Sequence, residues 1–415
     1  MGKKCYVFNA GCIRRGLDAI RLKKYLEVNG WKSTGSPRCA DLVIIATCGV
    51  VKANEKNSLV AIEDALTHKA PDARVIITGC LPNINPEAIR RLGDFAYLPT
   101  KDIEKIDQLV PGPISFRNVS PPDSVAEGGS ITDYLVARSF VRRSKLYKKL
   151  FRKFAMNNVF LMLSVRINKF LRGVATAVTG NRNLRIVPYY NIAIARGCLS
   201  NCAFCATKLA IGELTSRPMD QLVDEFRRGL DKGYNVFQLI SEDTGCYGLD
   251  IGIDFSCLLS VLASFGGKYR INVIDYHPRW LVSQFDRMYP VLVSHQDKIK
   301  EMFIPIQSGS ESMLRRMMRD HTAGGLKPLL MKLCSDAPKI ALRTSIMVGF
   351  PGETDECFRE TVDFLDGIRF AEVTVNRYED RPGIASANMD GKVDQEIIEN
   401  RARYLSEHLG CHILS

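Results

Sequence analysis

Thirteen cysteines are spread over the 415 residues. Three of them fall within a single run, Arg196-Gly197-Cys198-Leu199-Ser200-Asn201-Cys202-Ala203-Phe204-Cys205. The spacing, Cys-x3-Cys-x2-Cys, follows a strand-like stretch from Asn191 to Ala195. A loop this tight can wrap three thiolates around three irons of a four-iron, four-sulfur cubane, leaving the fourth iron without a protein ligand. That iron can bind the amino and carboxylate groups of S-adenosylmethionine. An electron from the cluster then breaks the sulfonium bond and releases a 5'-deoxyadenosyl radical. Structural zinc usually takes four protein ligands, and no fourth cysteine or histidine lies nearby in sequence.

Three further cysteines are related by position. Cys5–Phe8, Asp41–Ala46 and Arg74–Thr78 read as strands, with helices predicted over Leu17–Asn29, over Glu55–Lys69 and from Pro86 onward. Strands alternating with helices imply a parallel, doubly wound sheet. Each strand runs into a short loop: Asn9-Ala10-Gly11-Cys12, Ala46-Thr47-Cys48-Gly49 and Thr78-Gly79-Cys80. Ligand sites in such sheets lie beyond the carboxyl ends of the strands, so Cys12, Cys48 and Cys80 are expected to converge on one edge. The neighbouring glycines let backbone approach a bulky group. Cys5, Cys39, Cys246, Cys257, Cys334, Cys357 and Cys411 lack such company and read as structural or incidental.

The apolar fraction of 46% and charged fraction of 25% fit an ordinary globular chain, and the length suggests two or three domains. No apolar run reaches the roughly 20 residues of a membrane-spanning helix. The start, Met1-Gly2-Lys3-Lys4-Cys5, has neither an apolar signal core nor a myristoylation pattern. Clustered cysteines without an export signal suit metal or redox chemistry in a reducing compartment, so a cytoplasmic location is expected. The net charge of +12 is local: Tyr134 to Arg185 holds thirteen Lys and Arg and no Asp or Glu, and elsewhere 44 basic residues face 45 acidic ones. A local charge block points to a partner. Pro111 to Ser130 reads as a linker. The basic stretch behind it, with Phe140, Tyr147, Phe151, Phe154, Phe160 and Phe170 interleaved, reads as two helices. From Tyr189 to about Met389 strands and helices alternate through six or so units, and a last helix runs from Asp394 to about Leu409. Within this half, Ile346 to Thr354 reads as a strand and a Gly-Pro-Gly turn whose Gly349 and Gly352 would let backbone lie close to an adenine ring. Phe204 could pack on the adenine or serve as a core aromatic.

Taken together the motifs resemble the methylthiotransferase family of radical S-adenosylmethionine enzymes, which modify tRNA or a ribosomal protein. The resemblance covers residues 3 to about 110 and 188 to about 409. It rests on the cysteine loop, Gly212-Glu213-Leu214 with Arg217-Pro218, Ser241-Glu242-Asp243-Thr244-Gly245 with Tyr247-Gly248, and Pro305 to Ser310 with Met318-Arg319. It continues through Leu342 to Thr354, Arg381-Pro382-Gly383 and Ala387-Asn388-Met389. The Ser-Glu-Asp-Thr-Gly run is most similar to the archaeal and eukaryotic branch, which acts on the threonylcarbamoyl-adenosine next to the anticodon.

The resemblance implies an α/β architecture in three parts. These are an N-terminal doubly wound parallel sheet domain (1–119), a basic, helical insert or linker (120–187), and a radical S-adenosylmethionine domain built as a partial (β/α)6 barrel (188–415). It implies two [4Fe-4S] clusters, one on Cys198, Cys202 and Cys205 and an auxiliary one on Cys12, Cys48 and Cys80 that handles the sulfur to be inserted. It places Glu242 and Gln307 in reach of bound S-adenosylmethionine and Arg343 near its carboxylate, although a structural salt bridge would equally explain Arg343. The implied reaction is insertion of sulfur or methylthio at an unactivated C–H bond of a modified tRNA adenosine. One cofactor molecule would methylate the sulfur and a second would be cleaved, with flavodoxin or ferredoxin as electron donor. Two features depart from the family: no C-terminal TRAM barrel for gripping RNA is expected here, and relatives have only a short linker where the insert stands. The insert could neutralise phosphates and stack on bases, meet a membrane surface or acidic peptide, or pack on the barrel as a solvated excursion. Tailoring of a peptide or small metabolite is the alternative activity. A non-catalytic RNA-binding protein that keeps the fold is an alternative of another class.

Overall fold

A computed structural model of the chain describes residues 2–120, 189–408 and 412–414. The expected basic insert, and its proposed helices, lie outside the described residues. The chain divides into two compact units, Met1–Tyr190 and Asn191–Ser415.

In the first unit five strands, β1 (Lys4–Asn9), β2 (Lys32–Ser33), β3 (Leu42–Thr47), β4 (Arg74–Gly79) and β5 (Ala96–Pro99), form one sheet in the order β2-β1-β3-β4-β5. All its pairings are parallel. All six residues of β3 are buried, because a parallel sheet is covered on both faces. Val43, Ile45 and Ile77 form a core with Ile62 of the helix Lys52–His68 and with Leu81 and Ile89. The strand order reverses between β1 and β3, and such a switch point opens a crevice at the strands' carboxyl ends.

Helix boundaries differ from the sequence expectation for physical reasons. The first helix spans Ile13–Val28, a full turn earlier than its apolar spacing suggests, because that turn buries Arg15 and Gly16 rather than large apolar side chains. The helix expected from Pro86 is a single short piece, Pro86–Arg90, capped by the Asn85 side chain. The segment read as a linker begins as a docked strap. Phe116 is fully buried edge-on to Tyr25. Arg21 lies over the Phe116 ring and donates to the Val119 carbonyl at 2.9 Å. Proline and glycine content marked the irregular backbone but not the one aromatic side chain that pins it.

The second unit holds β6 (Tyr190–Ala193), a hairpin of β7 (Ala195–Arg196) and β8 (Thr215–Ser216), and then β9 (Val236–Ile240), β10 (Arg270–Val273), β11 (Ile299–Gln307), β12 (Ala341–Val348), β13 (Glu372–Arg377) and β14 (His412–Leu414). Seven of these form an unclosed sheet in the order β14-β13-β12-β11-β10-β9-β6. Pairing from β9 through to β14 is parallel throughout. Helices separate successive strands, which makes an incomplete (β/α) barrel with a seventh short strand beyond the terminal helix Gln395–His408. Among the described residues no helix is long and apolar enough to cross a membrane.

Candidate functional site

The first constellation forms at the carboxyl ends of β1, β3 and β4. Cys12 occupies the N-cap position of the helix Ile13–Val28, whose positive dipole end favours an anionic sulfur. The Asn9 side chain shapes the approach: its Oδ1 accepts from the Gly11 N–H at 3.1 Å and its Nδ2 donates to the Cys12 carbonyl at 3.4 Å. Cys48 is held at both backbone groups by Ser58, which accepts from its N–H at 2.9 Å and donates to its carbonyl at 3.0 Å. Cys80 donates its N–H to the Thr47 carbonyl at 3.0 Å. Gly79 before it has φ +102, and a Cβ there would stand 2.2 Å from that same carbonyl. Burial, and then the neighbouring Cys12 and Cys80, push the Cys48 thiol up to about 12. The buried Arg15 guanidinium pulls the other way.

The second constellation is the loop between β7 and β8. Gly197 starts it at φ +95, with no room for a Cβ: the Glu213 carbonyl oxygen would be 2.4 Å away. Its N–H donates to Glu242 Oε2 at 3.1 Å. The loop then docks by its backbone. Ala203 donates to the Met317 carbonyl, Ser386 donates to the Ala203 carbonyl, and Lys208 Nζ donates to the Cys198 carbonyl at 2.6 Å. Burial, followed by the Asp243 carboxylate, raises the Cys198 thiol to about 12. Burial and Cys202 raise Cys205.

Asp243 organises the wall behind the loop. Its carboxylate accepts from the Gly245 N–H at 3.0 Å, the His277 N–H at 3.2 Å and the Trp280 indole at 2.7 Å, and it faces Cys198 Sγ at 4.0 Å. His277 Nε2 lies 3.7 Å from Cys202 Sγ, and Arg319 donates to the same sulfur at 3.4 Å. Burial, with Arg319 next, keeps His277 neutral.

Of the residues expected to meet S-adenosylmethionine, Glu242 stands at the start of the cysteine loop. Gln307 ends β11 with φ 76, a strained backbone for a non-glycine residue. Its Nε2 donates to Ser345 Oγ at 3.3 Å, and its buried Oε1 has no partner. Asn272 on β10 is fully buried with both amide atoms unpartnered. Phe204 packs edge-on to the buried Phe350, with ring centroids 6.4 Å apart. Arg343 lies between two carboxylates of adjacent strands, Glu372 at 2.6 Å and Glu301 at 3.5 Å. At Gly349 the space a Cβ would occupy is filled by Ile398 of the terminal helix. The glycine is therefore required by helix packing.

Among the described residues no three His, Cys, Asp or Glu side chains are gathered closely enough for a single metal ion. A cubane puts each thiolate on a different iron, so its ligands stand further apart. The donor sets suit such a group. Each comprises three cysteines, and burial raises the Cys48, Cys198 and Cys205 thiols, which a coordinated iron would hold as thiolates. Orphaned buried polar atoms on Gln307 and Asn272 suit a polar cofactor.

The spacing and the strand-end rule pick out the cysteines but miss Arg15, Ser58, Asp243, His277 and Arg319. Asp243 and Arg319 do lie in runs that carry the family resemblance, Ser241–Gly245 and Met318-Arg319, but nothing in those runs marks them as neighbours of the cysteines.

Comparison with known proteins agrees with this construction. Residues 192–365 match the radical SAM superfamily and residues 4–98 match the uncharacterized protein family UPF0004. The chain is 28% identical over 404 residues to a probable threonylcarbamoyladenosine tRNA methylthiotransferase of Pyrococcus horikoshii, covering 97% of this chain and 83% of that one. It is 28% identical over 411 residues to the ribosomal protein uS12 methylthiotransferase RimO of Geotalea uraniireducens, covering 97% and 81%. Among solved structures, the radical S-adenosylmethionine methyltransferase TsrM from Kitasatospora setae, with cobalamin and a [4Fe-4S] cluster bound, shares the fold. Its TM-score is 0.60 at 14% identity, over 93% of this chain and 77% of that one. Two domain matches in this order, and relatives aligned along nearly the whole chain, lead to one conclusion: this chain carries a radical SAM domain behind a UPF0004 domain and is similar along nearly its whole length to radical S-adenosylmethionine methylthiotransferases.

Proposed function

We propose that this enzyme inserts a methylthio group into a modified tRNA adenosine, with Cys198, Cys202 and Cys205 holding the cluster that binds S-adenosylmethionine and Cys12, Cys48 and Cys80 holding the auxiliary cluster. The observation that carries the reading is that each unit gathers three cysteines beside the carboxyl ends of its parallel strands. When bound, the first cluster and its nucleotide supply hydrogen abstraction from an unactivated C–H bond, chemistry no acid-base group can perform.

The chain's own residues do the positioning. Gly197 and Glu242 fix where the Cys198 loop begins, and Asp243 and Met317 hold its two ends. Gln307 Oε1 is the acceptor offered to the cofactor. Arg343, held by two carboxylates, acts inside the sheet as a structural ion pair. In the first unit Ser58 and Asn9 orient Cys48 and Cys12. The basic stretch from Tyr134 to Arg185 supplies the charge to neutralise RNA phosphates. A reduced flavodoxin or ferredoxin would deliver the electron, and the cytoplasm is where these partners meet.

Mass spectrometry of tRNA nucleosides, from cells with and without the gene, tests the substrate. The expected result is loss of one methylthio nucleoside with accumulation of its precursor. Unchanged tRNA would contradict the reading, and a methylthio group lost from a ribosomal protein would assign the other substrate found among the relatives.

A further inference from the structure

Two basic side chains converge on one sulfur of the cysteine loop. His277 is the N-cap of the helix Pro278–Ser283, and its Nδ1 accepts the Arg279 N–H at 3.2 Å. A backbone N–H can only donate, so Nδ1 is the acceptor here and Nε2 is the ring nitrogen that carries a proton. That nitrogen lies 3.7 Å from Cys202 Sγ. Arg319 Nη1 donates to the same sulfur at 3.4 Å, while Nη2 donates to the Pro305 carbonyl in β11. Both side chains belong to buried residues. Cys198 Sγ has different surroundings: it accepts from the Ser200 N–H at 3.4 Å and faces the Asp243 carboxylate at 4.0 Å.

The backbone is bent to make this arrangement. Among the described residues three non-glycine residues have positive φ, and two of them lead into these donors: Asp275 (φ 54) two residues before His277, and Met318 (φ 56) immediately before Arg319. Met318 ends the helix Glu311–Arg316 in a Schellman turn, with Arg319 N–H on the Leu314 carbonyl and Met318 N–H on the Arg315 carbonyl. Glycine is the usual residue at that position, so the left-handed turn at Met318 costs strain that is offset by aiming Arg319 at the sulfur.

We propose that His277 and Arg319 are positioning residues that donate two N–H bonds to the Cys202 thiolate and hold the cluster of Cys198, Cys202 and Cys205 at a higher reduction potential than its cysteines alone would give. The inference rests on the proposed cluster site. One electron from a reduced carrier protein adds one negative charge to the cluster. An adjacent guanidinium and an N–H donor stabilise that charge, because hydrogen bonds to ligand sulfur and local charge set cluster potentials.

The test uses full-length protein carrying Cys12→Ala, Cys48→Ala and Cys80→Ala, so that one cluster remains, and reads its midpoint in an anaerobic titration followed by electron paramagnetic resonance. His277→Asn keeps an acceptor for the helix cap but is too short to reach the sulfur. Arg319→Met removes the charge and both donors at similar length, and Arg319→Lys restores the charge. The expected result is unchanged iron content in all three. Arg319→Met shows a reduced-to-oxidised ratio at fixed potential at least tenfold lower, equivalent to about 59 mV for one electron. His277→Asn shifts the same way by less, and Arg319→Lys lies between wild type and Arg319→Met. Midpoints unmoved in His277→Asn and Arg319→Met overturn the proposal. So does loss of iron from both Arg319 variants with an unmoved His277→Asn midpoint, which would assign Arg319 to folding of the loop. A parent protein without iron would instead defeat the cluster reading itself.

Discussion

The indole N–H of Trp280 donates to Asp243 Oδ2 at 2.7 Å, which ties the helix Pro278–Ser283 to the carboxylate behind the cysteine loop. Burial lifts the Asp243 carboxyl to about 6, and the donors from Trp280, His277 and Gly245 pull against that rise. Trp280→Phe keeps a ring and deletes one donor from a buried acceptor, so it is expected to cost about 1–3 kcal/mol. A denaturant titration reads this as a lower midpoint at constant slope. An unchanged midpoint would show that Asp243 does not depend on Trp280.

Gly79 and Gly197 make matched predictions for the two units. In each, an added Cβ would drive into a backbone carbonyl, at 2.2 Å and 2.4 Å respectively. Gly197→Ala is expected to lose the iron of the Cys198 loop and keep that of the first unit, and Gly79→Ala the reverse. Iron analysis after anaerobic reconstitution distinguishes them, and full iron in both would contradict the account of these turns.

The three first-unit cysteines were legible because apolar runs such as Val43-Ile44-Ile45 announce buried parallel strands, and a strand-end rule then places the loop residues beyond them. The Cys198 loop was legible because its spacing is local. Its supports were not: His277 and Arg319 stand 75 and 117 residues from Cys202, and no periodicity encodes that approach. Gly349 has a second reason to be glycine that its sequence context does not announce: the space a Cβ would take is filled by Ile398, a neighbour that only the folded terminal helix supplies. Arg343 was legible as two alternatives, and cross-strand register puts it between Glu301 and Glu372.

Asp254 predicts a pH dependence outside the cysteine sites. Burial opposes its ionisation, but Ser256, Arg287 and the Cys257 N–H outweigh that and hold it at about 2. A carboxyl depressed in the folded state contributes stability above its unfolded pKa of about 3.9 and loses it as the pH falls through the folded value. Asp254→Ala also removes the N-cap of the helix Phe255–Ala263, a loss of about 1 kcal/mol near neutrality. The stability difference from wild type is expected to shrink between about pH 4 and pH 2. A difference constant across that window would contradict the assignment.

Arg401 and Glu353 form a buried pair at 2.7 Å, and Glu353 also accepts the Gly349 N–H at 2.7 Å. Arg401→Met would leave a buried carboxylate without its counter-charge, with an expected destabilisation of about 3–5 kcal/mol. Glu353→Gln in the same background should recover part of that loss. Thermal unfolding measures both, and a single variant as stable as wild type would show that the pair does not hold the turn.

Iron and sulfide analysis with Mössbauer spectroscopy, on full-length protein reconstituted without oxygen, tests the central claim most directly. The account predicts about eight irons per chain in two cubane clusters. It predicts about four after replacing Cys198, Cys202 and Cys205 with alanine, and about four after replacing Cys12, Cys48 and Cys80. Wild-type protein with no more than about four irons, or a triple replacement that leaves the iron count unchanged, would contradict it.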